Sequence, residues 1–407
     1  MRLNILQISD GYGYLPDKGP IEKVLFNISK EMAKMGNDVT ILERNYPNAK
    51  KVEFIDGVRV VRLDRRRCTS YDLFNLSSPS SLIPLTVDGL SFMFEAVNYL
   101  DKNGKFDVIH AHLPFSSLAI VMLRRDLRKR FFYTFHGNDY RIPLTSNSTS
   151  SQLLLKLLSP DLLLMKRVNK VIMLNAKIKQ DVVSEGLLGE ESVEVISNGA
   201  TVEEYDDLPK VSGHPGAKNV TVLFVGLIVK RKGVGYLVKA ADIIVNRLKY
   251  SNVEFLIVGK ALAKGADSVF YQRMISLTEE FRLQKNVKFM GFVSAEELRK
   301  QYIESDIFVL PSISEAFALV LLEAMMFGKP VIATDVGATS TMIKDGWNGF
   351  LVRPMDFEQL AEKIRYFIDN PNEKARMGRN SRRLVEKEFT WDKIAEKYLQ
   401  VYKNKLF

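Results

Sequence analysis

Two glutamates stand eight residues apart in the most informative stretch of the sequence, SISEAFALVLLEAMMFGKPVIATDVG at 312–337. Glu315 is expected to follow a strand at the N-terminus of a helix, with Glu323 two turns later and Gly328 ending the helix. Eight helical residues rise about 12 Å, so these carboxylates cannot share a proton or flank one bond. Their spacing suits contacts with two ends of a long ligand. The alternative is a buried helix in which Glu315 caps the N-terminus and Glu323 pairs with a lysine.

The backbone N–H groups of residues 316–319 are expected at the positive end of that helix, where they suit a phosphate or sugar oxygen. A second stretch, VLFVGLIVKRKGVGYLVKA at 222–240, has Lys230, Arg231 and Lys232 between a strand and a helix. Three cations beside backbone amides suit a diphosphate, and a solvated turn is the alternative. Neither the P-loop spacing nor a G-x-G-x-x-G after a strand occurs, so P-loop and nicotinamide-type sites are not predicted.

Composition limits the class of protein. The 407 residues are 46% hydrophobic and 26% charged, which is ordinary for about two globular domains and excludes a disordered or fibrous chain. A single cysteine excludes a disulfide framework and a cysteine-built zinc site. The net charge of +10 favours an anionic partner. No leader peptide or membrane-spanning segment is predicted, so the expected location is cytoplasmic.

Short buried strands alternate with helices along the chain, which predicts an α/β fold with parallel sheets. The predicted strands are 3–9, 38–43, 107–112, 130–136, 170–174, 193–197, 221–226, 253–259, 287–293, 306–312 and 330–337. We expect an N-terminal domain at 1–205, a linker at 206–219 and a C-terminal domain at 220–387. A terminal helix at 388–407 is expected to complete the N-terminal domain. The natural ligand site is a cleft between the two domains, because the carboxyl ends of such strands carry the ligand loops.

These stretches resemble one family, the retaining glycosyltransferases of family four, which have the GT-B fold. The family motif E-x-F-G-x-x-x-x-E-A-M-A-x-G-x-P-V-I-A-T stands here as EAFALVLLEAMMFGKPVIAT at 315–334. Other segments that resemble the family are 17–42, 106–114, 131–139, 193–206 and 389–402. The resemblance covers nearly the whole chain and implies two Rossmann-like α/β domains facing across a cleft.

The resemblance also implies the roles of individual residues in a nucleotide-sugar site. Glu315 would contact hydroxyls of the donor sugar, His136 would lie at the reacting sugar, and Lys232 and Arg231 would hold the diphosphate as the remaining catalytic residues. Glu323 would bind the ribose hydroxyls. The other donor-binding residues would be Gly19, Phe317, Ala318 and Leu319, through their amides, and Phe292 and Val293, along the base.

The implied activity is transfer of a hexose from a nucleotide diphosphate sugar to an acceptor hydroxyl with retention of anomeric configuration. The acceptor would be a sugar, a lipid-linked glycan or a polysaccharide precursor. The family arginine after the strand glycine is replaced by Leu227, and Arg231 is the candidate substitute. Family glycines are replaced by Pro20, Ala316, Ala318 and Ala338. These departures leave two alternatives: a non-catalytic nucleotide-sugar-binding subunit, and a GT-B phosphorylase or epimerase.

The histidines and acidic residues do not predict a metal site. His110 and His112 are two apart on a strand and point to one face, but two ligands without a third make a poor zinc site. Both are therefore expected to be structural or cleft histidines. No Asp-x-Asp, the usual metal ligand of metal-dependent nucleotide-sugar transferases, occurs in the chain. With Lys232 and Arg231 available to the diphosphate, we expect neither a metal nor a cofactor.

Positive charge in the first half lies beside apolar sequence. RLDRRR at 62–67 and RRDLRKR at 124–130 are neighbours of apolar stretches at 80–97 and 150–168. A basic and apolar surface on one domain suits docking on anionic lipid, and a solvated helix face beside ordinary core is the alternative. The hypothesis is a membrane acceptor, with the protein peripheral on the inner face of the cell membrane. Nucleic acid is not an expected partner, because no recognised nucleic-acid-binding module is visible.

Overall fold

The computed structural model describes residues 2–9, 19–46, 49–63, 82–137, 159–201, 219–261 and 265–406. The chain divides into two compact units: Met1–Asn198 together with Trp391–Phe407, and Gly199–Thr390. The predicted linker at 206–219 lies outside the described residues except for its last position. Within the described ranges, no helix is both long enough and apolar enough to cross a bilayer.

The first unit is built on an eight-stranded sheet. Its strands are β1 (Asn4–Ile8), β2 (Asp38–Arg44), β3 (Val52–Ile55), β4 (Val58–Leu63), β5 (Val108–Ala111), β6 (Phe131–Phe135), β7 (Lys170–Met173) and β8 (Val193–Val195). They are ordered β3-β4-β2-β1-β5-β6-β7-β8. β3 pairs antiparallel with β4, and the other neighbouring pairs of these described strands are parallel. β5, β6 and β7 are buried at every position, as expected for central strands covered on both faces.

Helices follow the strands of this unit. They are α1 (Pro20–Lys34), α2 (Leu82–Asn103), α3 (Pro114–Leu123), α4 (Pro160–Met165) and α5 (Ala176–Ser184), with short 3₁₀ turns at Arg125–Arg130 and Glu190–Ser192. α1 buries apolar residues at helical spacing, among them Val24, Ile28 and Met32. It starts at Pro20. It ends before Gly36, whose positive φ of 83° suits the position just past a helix.

The second unit holds a six-stranded, wholly parallel sheet. Its described strands are β9 (Val220–Val225), β10 (Val253–Val258), β11 (Val287–Gly291), β12 (Ile307–Leu310), β13 (Val331–Thr334) and β14 (Gly349–Val352). Their order is β11-β10-β9-β12-β13-β14. Numbered from the start of the unit this is 3-2-1-4-5-6, the order of dinucleotide-binding Rossmann sheets. The strand order reverses between β9 and β12, so a ligand is expected beyond the carboxyl ends of these two strands.

Seven helices surround this sheet in the described part of the unit. They are α6 (Val234–Asp242, continued by a π turn at Ile243–Arg247), α7 (Ala266–Glu280), α8 (Ala295–Glu304), α9 (Leu319–Met326), α10 (Thr339–Met342), α11 (Phe357–Asp369) and α12 (Pro371–Glu388). A last helix, α13 (Trp391–Leu406), returns to the first unit, where it packs against α1. All eleven predicted strands are present, each within three residues of its predicted ends. β3, β4 and β14 were not predicted.

The prediction of a basic surface at 62–67 is wrong for Arg62. Its side chain is fully buried, where it donates from Nε to Glu43 Oε1 at 2.7 Å and forms a second ion pair with Glu53. The guanidinium also lies 4.9 Å from the ring centroid of Tyr46. Arg62 is thus an internal link between β2, β3 and β4 rather than a charge available to a membrane. The remaining arginines of that run, at 65–67, lie outside the described residues.

Candidate active site

The two sequence motifs of the second unit meet at the point where its strand order reverses. The basic residues form a 3₁₀ turn, Lys230–Lys232, that follows β9 and precedes α6. Gly233 has a φ of 71°, and a Cβ there would collide with the carbonyl oxygen of Pro311 in the loop after β12. The Ile313 amide of that loop donates to the Arg231 carbonyl at 2.7 Å. The basic turn therefore packs directly on the loop that carries Glu315.

Lys232 and Glu315 form an ion pair at this junction. Lys232 Nζ donates to Glu315 Oε1, and the two side chains are 12% and 5% exposed. Ser312 Oγ donates to the same carboxylate oxygen at 3.0 Å, and the Thr334 hydroxyl donates to the Ser312 carbonyl. A largely buried carboxylate needs such partners, because desolvation costs several kcal/mol per ion. The ammonium and the carboxylate thus stand side by side at the edge where ligands bind in this sheet order.

Helix α9 begins later than the sequence predicts. The expectation that Glu315 stands at a helix N-terminus is wrong, because α9 starts at Leu319 with Ala318 as its N-cap. Glu315 lies in the preceding loop, so eight helical residues do not separate it from Glu323 and the 12 Å rise does not apply. Close packing holds this loop: a Cβ on Gly337, where φ is 58°, would collide with the Glu315 carbonyl oxygen. The amides of the first helical turn still start at Leu319, close after Phe317 and Ala318.

Glu323 lies on α9 and has a tyrosine neighbour. The Tyr302 hydroxyl donates to Glu323 Oε2 at 3.0 Å. The Tyr302 ring is stacked on Phe327, with 5.0 Å between centroids and 13° between planes. This stacking fixes the hydroxyl, and through it one oxygen of the carboxylate.

No cap bond from Glu315 to α9 forms in this described loop, so the sequence alternative of Glu315 as helix cap is wrong.

The predicted base-binding residues lie at the edge of the same sheet. Phe292 and Val293 follow β11, which is separated from β9 by β10. Phe292 is 83% exposed, whereas Val293 is partly buried against the core. An aromatic ring this exposed is free to stack on a planar ligand. Leu227 and Arg231 are exposed near the carboxyl end of β9.

The first unit carries Gly19 and His136. Gly19 is the N-cap of α1, and a Cβ there would collide with Glu22 Oε2. Burial raises the pKa of Glu22 above its usual value. His136 follows β6, and its Nε2 lies 2.9 Å from His112 Nδ1. Burial lowers the pKa of His136 to about 4, so its imidazole is neutral at pH 7.

His110 in β5 and His112 just after it, which the sequence predicts as structural or cleft histidines, are both internal. His110 Nε2 lies 2.8 Å from Thr134 Oγ1, and His110 Nδ1 contacts the Tyr402 hydroxyl of α13. Burial lowers the pKa of His110 to about 3. His112 Nε2 lies 2.9 Å from Gln7 Oε1. Across the part of the chain that the structure describes, no three His, Cys, Asp or Glu side chains are grouped as metal ligands would be.

Sequence reasoning did not identify three of the residues that hold these groups. Ser312 is three residues from Glu315, a spacing that a loop hydrogen bond can close. Tyr302 is 21 residues from Glu323, and Gln7 is 105 residues from His112. Contacts at such separations depend on sheet order, so no local pattern indicates them.

Comparison with known proteins identifies both units. Residues 21–204 match the model of Glycosyltransferase Family 4, and residues 205–384 match that of Glycosyl transferases group 1. A D-inositol 3-phosphate glycosyltransferase of Corynebacterium urealyticum is 24% identical, over 95% of this chain and 91% of that protein. An uncharacterized glycosyltransferase of Methanocaldococcus jannaschii is 27% identical, over 74% of this chain and 75% of the other.

Solved structures share the fold. Sucrose-phosphate synthase of Thermosynechococcus elongatus superposes with a TM-score of 0.76 at 23% identity, covering 99% of both chains. HepE of Anabaena in complex with UDP superposes with a TM-score of 0.71 at 19% identity, over 99% of this chain and 100% of that one. These likenesses are to GT-B proteins with two Rossmann-like domains. The two family models together span 21–384, and the chain belongs to the group 1 glycosyltransferases of family four, enzymes that transfer a sugar from a nucleotide sugar.

Proposed function

We propose that this enzyme transfers a hexose from a nucleotide diphosphate sugar to an acceptor hydroxyl with retention of anomeric configuration and without a metal ion. The observation that carries the proposal is the Lys232–Glu315 ion pair beyond β9 and β12. An ammonium beside a carboxylate suits the diphosphate and the sugar of a nucleotide-sugar donor. The ammonium binds diphosphate oxygens and the carboxylate accepts hydrogen bonds from sugar hydroxyls.

The diphosphate is the group whose charge must be stabilised during the reaction. The bond between the sugar's anomeric carbon and a β-phosphate oxygen breaks, and a bond from that carbon to the acceptor oxygen forms on the same face. The acceptor proton passes to the departing phosphate oxygen. Lys232, the exposed Arg231 and the first-turn amides of α9 are the donors available to the growing negative charge. Donors fixed in place before the reaction need little reorganisation, which is why they lower the barrier.

The remaining donor contacts are those that the family resemblance implies. Glu323, oriented by Tyr302, would accept from the ribose hydroxyls, and Phe292 and Val293 would line the base. His136 would contact the reacting sugar, and the Gly19 amide would bind the diphosphate. UDP-glucose is the first donor to test, because the similar HepE has been solved with UDP and with UDP-glucose.

The test is nucleoside diphosphate release from a panel of UDP-, GDP- and ADP-hexoses in excess EDTA, with wild type beside Glu315→Gln. We expect wild type to release one nucleoside diphosphate and the variant to release at least 100-fold less. The anomeric configuration of the product, read by NMR, tests retention. Activity that EDTA abolishes and Mg²⁺ restores would contradict metal independence.

The two alternatives have distinct outcomes in the same assay. A non-catalytic subunit would bind one nucleotide sugar in calorimetry and release no nucleoside diphosphate with any acceptor. A phosphorylase would release sugar 1-phosphate from a glycan only when phosphate is present, and an epimerase would convert the sugar without an acceptor. We rank both below transfer because the Lys232–Glu315 contact supports the donor site that the resemblance to family-four transferases implies.

We further propose an acceptor at an anionic membrane, a lipid-linked glycan or polysaccharide precursor. Support comes from Met122 and Leu123, which are 53% and 57% exposed at the end of α3. The exposed cations Arg125, Lys129 and Arg130 follow them directly. Apolar residues beside cations suit an anionic bilayer. Flotation with vesicles containing anionic lipid should recover wild type at low salt but not Met122→Glu/Leu123→Glu, and wild type that stays unbound would contradict the proposal.

A further inference from the structure

A row of side chains crosses the carboxyl edge of the first unit's sheet, buried at Gln7 and His112 and ending at the partly buried His136. Gln7 lies in β1, His112 just after β5, and His136 just after β6, and these three strands are neighbours. Gln7 Oε1 lies 2.9 Å from His112 Nε2, and His112 Nδ1 lies 2.9 Å from His136 Nε2. The two imidazoles are also stacked, with 5.2 Å between centroids. The row is therefore continuous from the interior of the sheet to the histidine at its edge.

Each histidine in the row carries one ring proton at neutral pH. Burial lowers the pKa of His112 well below its usual value, and protonation of the neighbouring His110 or His136 would lower it further. The pKa of His136 is about 4. A neutral imidazole has one N–H donor and one bare nitrogen acceptor. Each contact in the row needs one donor and one acceptor, so the tautomer of the first histidine decides that of the second.

Gln7 sets the donor-to-acceptor direction of the hydrogen bonds along this row. Its amide nitrogen lies 3.8 Å from Met32 Sδ, and its side chain also forms a hydrogen bond with the Tyr402 hydroxyl; both neighbours can accept from an N–H. The amide oxygen therefore faces His112. His112 must donate from Nε2, which leaves its Nδ1 bare. His136 must then donate from Nε2 to His112, which leaves His136 Nδ1 without a proton.

We propose that Gln7, acting through His112, is a positioning residue that holds His136 in the Nε2–H tautomer and so presents Nδ1 as a hydrogen-bond acceptor to a hydroxyl of the bound sugar. The contact with sugar rests on the proposed function, whereas the tautomer does not. An acceptor-only nitrogen selects a ligand group that donates. A sugar in which the facing hydroxyl is replaced by fluorine loses this bond, because fluorine donates no proton.

The tautomers can be measured without any donor or acceptor. The chain has four histidines, so ring-¹⁵N-histidine labelling gives a simple long-range ¹H–¹⁵N spectrum, assigned with His110→Gln, His136→Gln and His214→Gln. We expect the Nε2–H pattern for His112 and His136 in wild type between pH 6 and 8. Gln7→Leu removes the acceptor that faces His112 and should convert at least part of His136 to Nδ1–H. Wild-type His136 in the Nδ1–H form, or no change in Gln7→Leu, overturns the proposal.

Donor kinetics test the ligand half separately. With the preferred nucleotide sugar and its monofluorinated analogues, wild type should lose at least 10-fold in kcat/KM at one hydroxyl position. Gln7→Leu should lose most of that discrimination. Altered tautomers with unaltered discrimination overturn the ligand half. If His136→Ala keeps wild-type kcat and KM, the sugar contact in the proposed function fails, and the spectrum still decides the tautomer.

Discussion

At the scale of single residues, Lys232 has a close control in its own turn. Lys230 and Lys232 both belong to the 3₁₀ turn after β9, but Lys230 is exposed and Lys232 is largely buried on Glu315. Lys232→Ala should lower kcat by more than about 100-fold, since it removes one stabiliser of the departing diphosphate. Lys230→Ala should stay within about 3-fold of wild type, because an exposed cation near a ligand is screened by solvent. Equal losses in the two variants, measured as initial rates of nucleoside diphosphate release, would contradict the assigned role.

Residue types were easier to predict than residue partners. The sequence places Lys232 and Glu315 in separate motifs 83 positions apart, and only the adjacency of β9 and β12 brings them together. The same limit explains the error at Arg62. In the sequence it belongs to a basic run, whereas in the sheet it lies against Glu43 and Glu53 from neighbouring strands. A run of charged residues predicts an exposed surface only where strand pairing leaves those side chains exposed to solvent.

At the scale of elements, the loop from β12 to α9 depends on a glycine that follows β13. Gly337 and Gly346 both have positive φ, 58° and 73°, but only a Cβ on Gly337 would collide with the Glu315 carbonyl, while that on Gly346 meets no atom within 4 Å. Both Ala variants carry the cost of a left-handed residue, about 1 kcal/mol. Gly337→Ala should in addition displace Glu315 and weaken nucleotide-sugar binding at least 10-fold by calorimetry. Similar affinities for the two variants would show that the loop does not depend on this packing.

Strands with long apolar runs were predicted, whereas the β3–β4 hairpin was missed. β9 and β12 consist of consecutive apolar residues with a glycine or proline beyond, a strong strand signal. β3 and β4 were missed although Asp56 and Gly57, both at positive φ, join them. An Asp-Gly pair between two such runs is a hairpin signal that the sequence does contain. No local sequence signal indicates the late start of α9. Contacts from Gly337 and Ala338, which are distant in sequence, hold residues 315–316 outside the helix.

At the scale of the whole molecule, the buried histidines of the first unit should make its stability fall in mild acid. Burial lowers the pKa of His110 to about 3 and that of His136 to about 4, and lowers that of His112 as well. The unfolded chain titrates near 6.5, so below that pH it binds more protons than the folded chain. The contribution of these histidines to the free energy of unfolding is complete above pH 6.5. It is lost as the pH falls toward their pKa values in the folded chain, by about 2 kcal/mol per histidine at pH 5.

The fold supplies a reporter for this effect in the unit that holds the histidines. Trp391 is buried at the start of α13 in the first unit, and the second tryptophan, Trp347, belongs to the other unit. In a Trp347→Phe background, urea unfolding followed by Trp391 fluorescence at pH 7, 6 and 5 should show a free energy of unfolding that falls as the pH is lowered. Adding His136→Gln should reduce the fall between pH 7 and 5 by about 2 kcal/mol, the contribution of one histidine. A free energy of unfolding that is constant over this range would mean that the three rings are protonated as readily in the folded chain as in the unfolded one. The neutral row from Gln7 to His136 would then not persist below about pH 6.5.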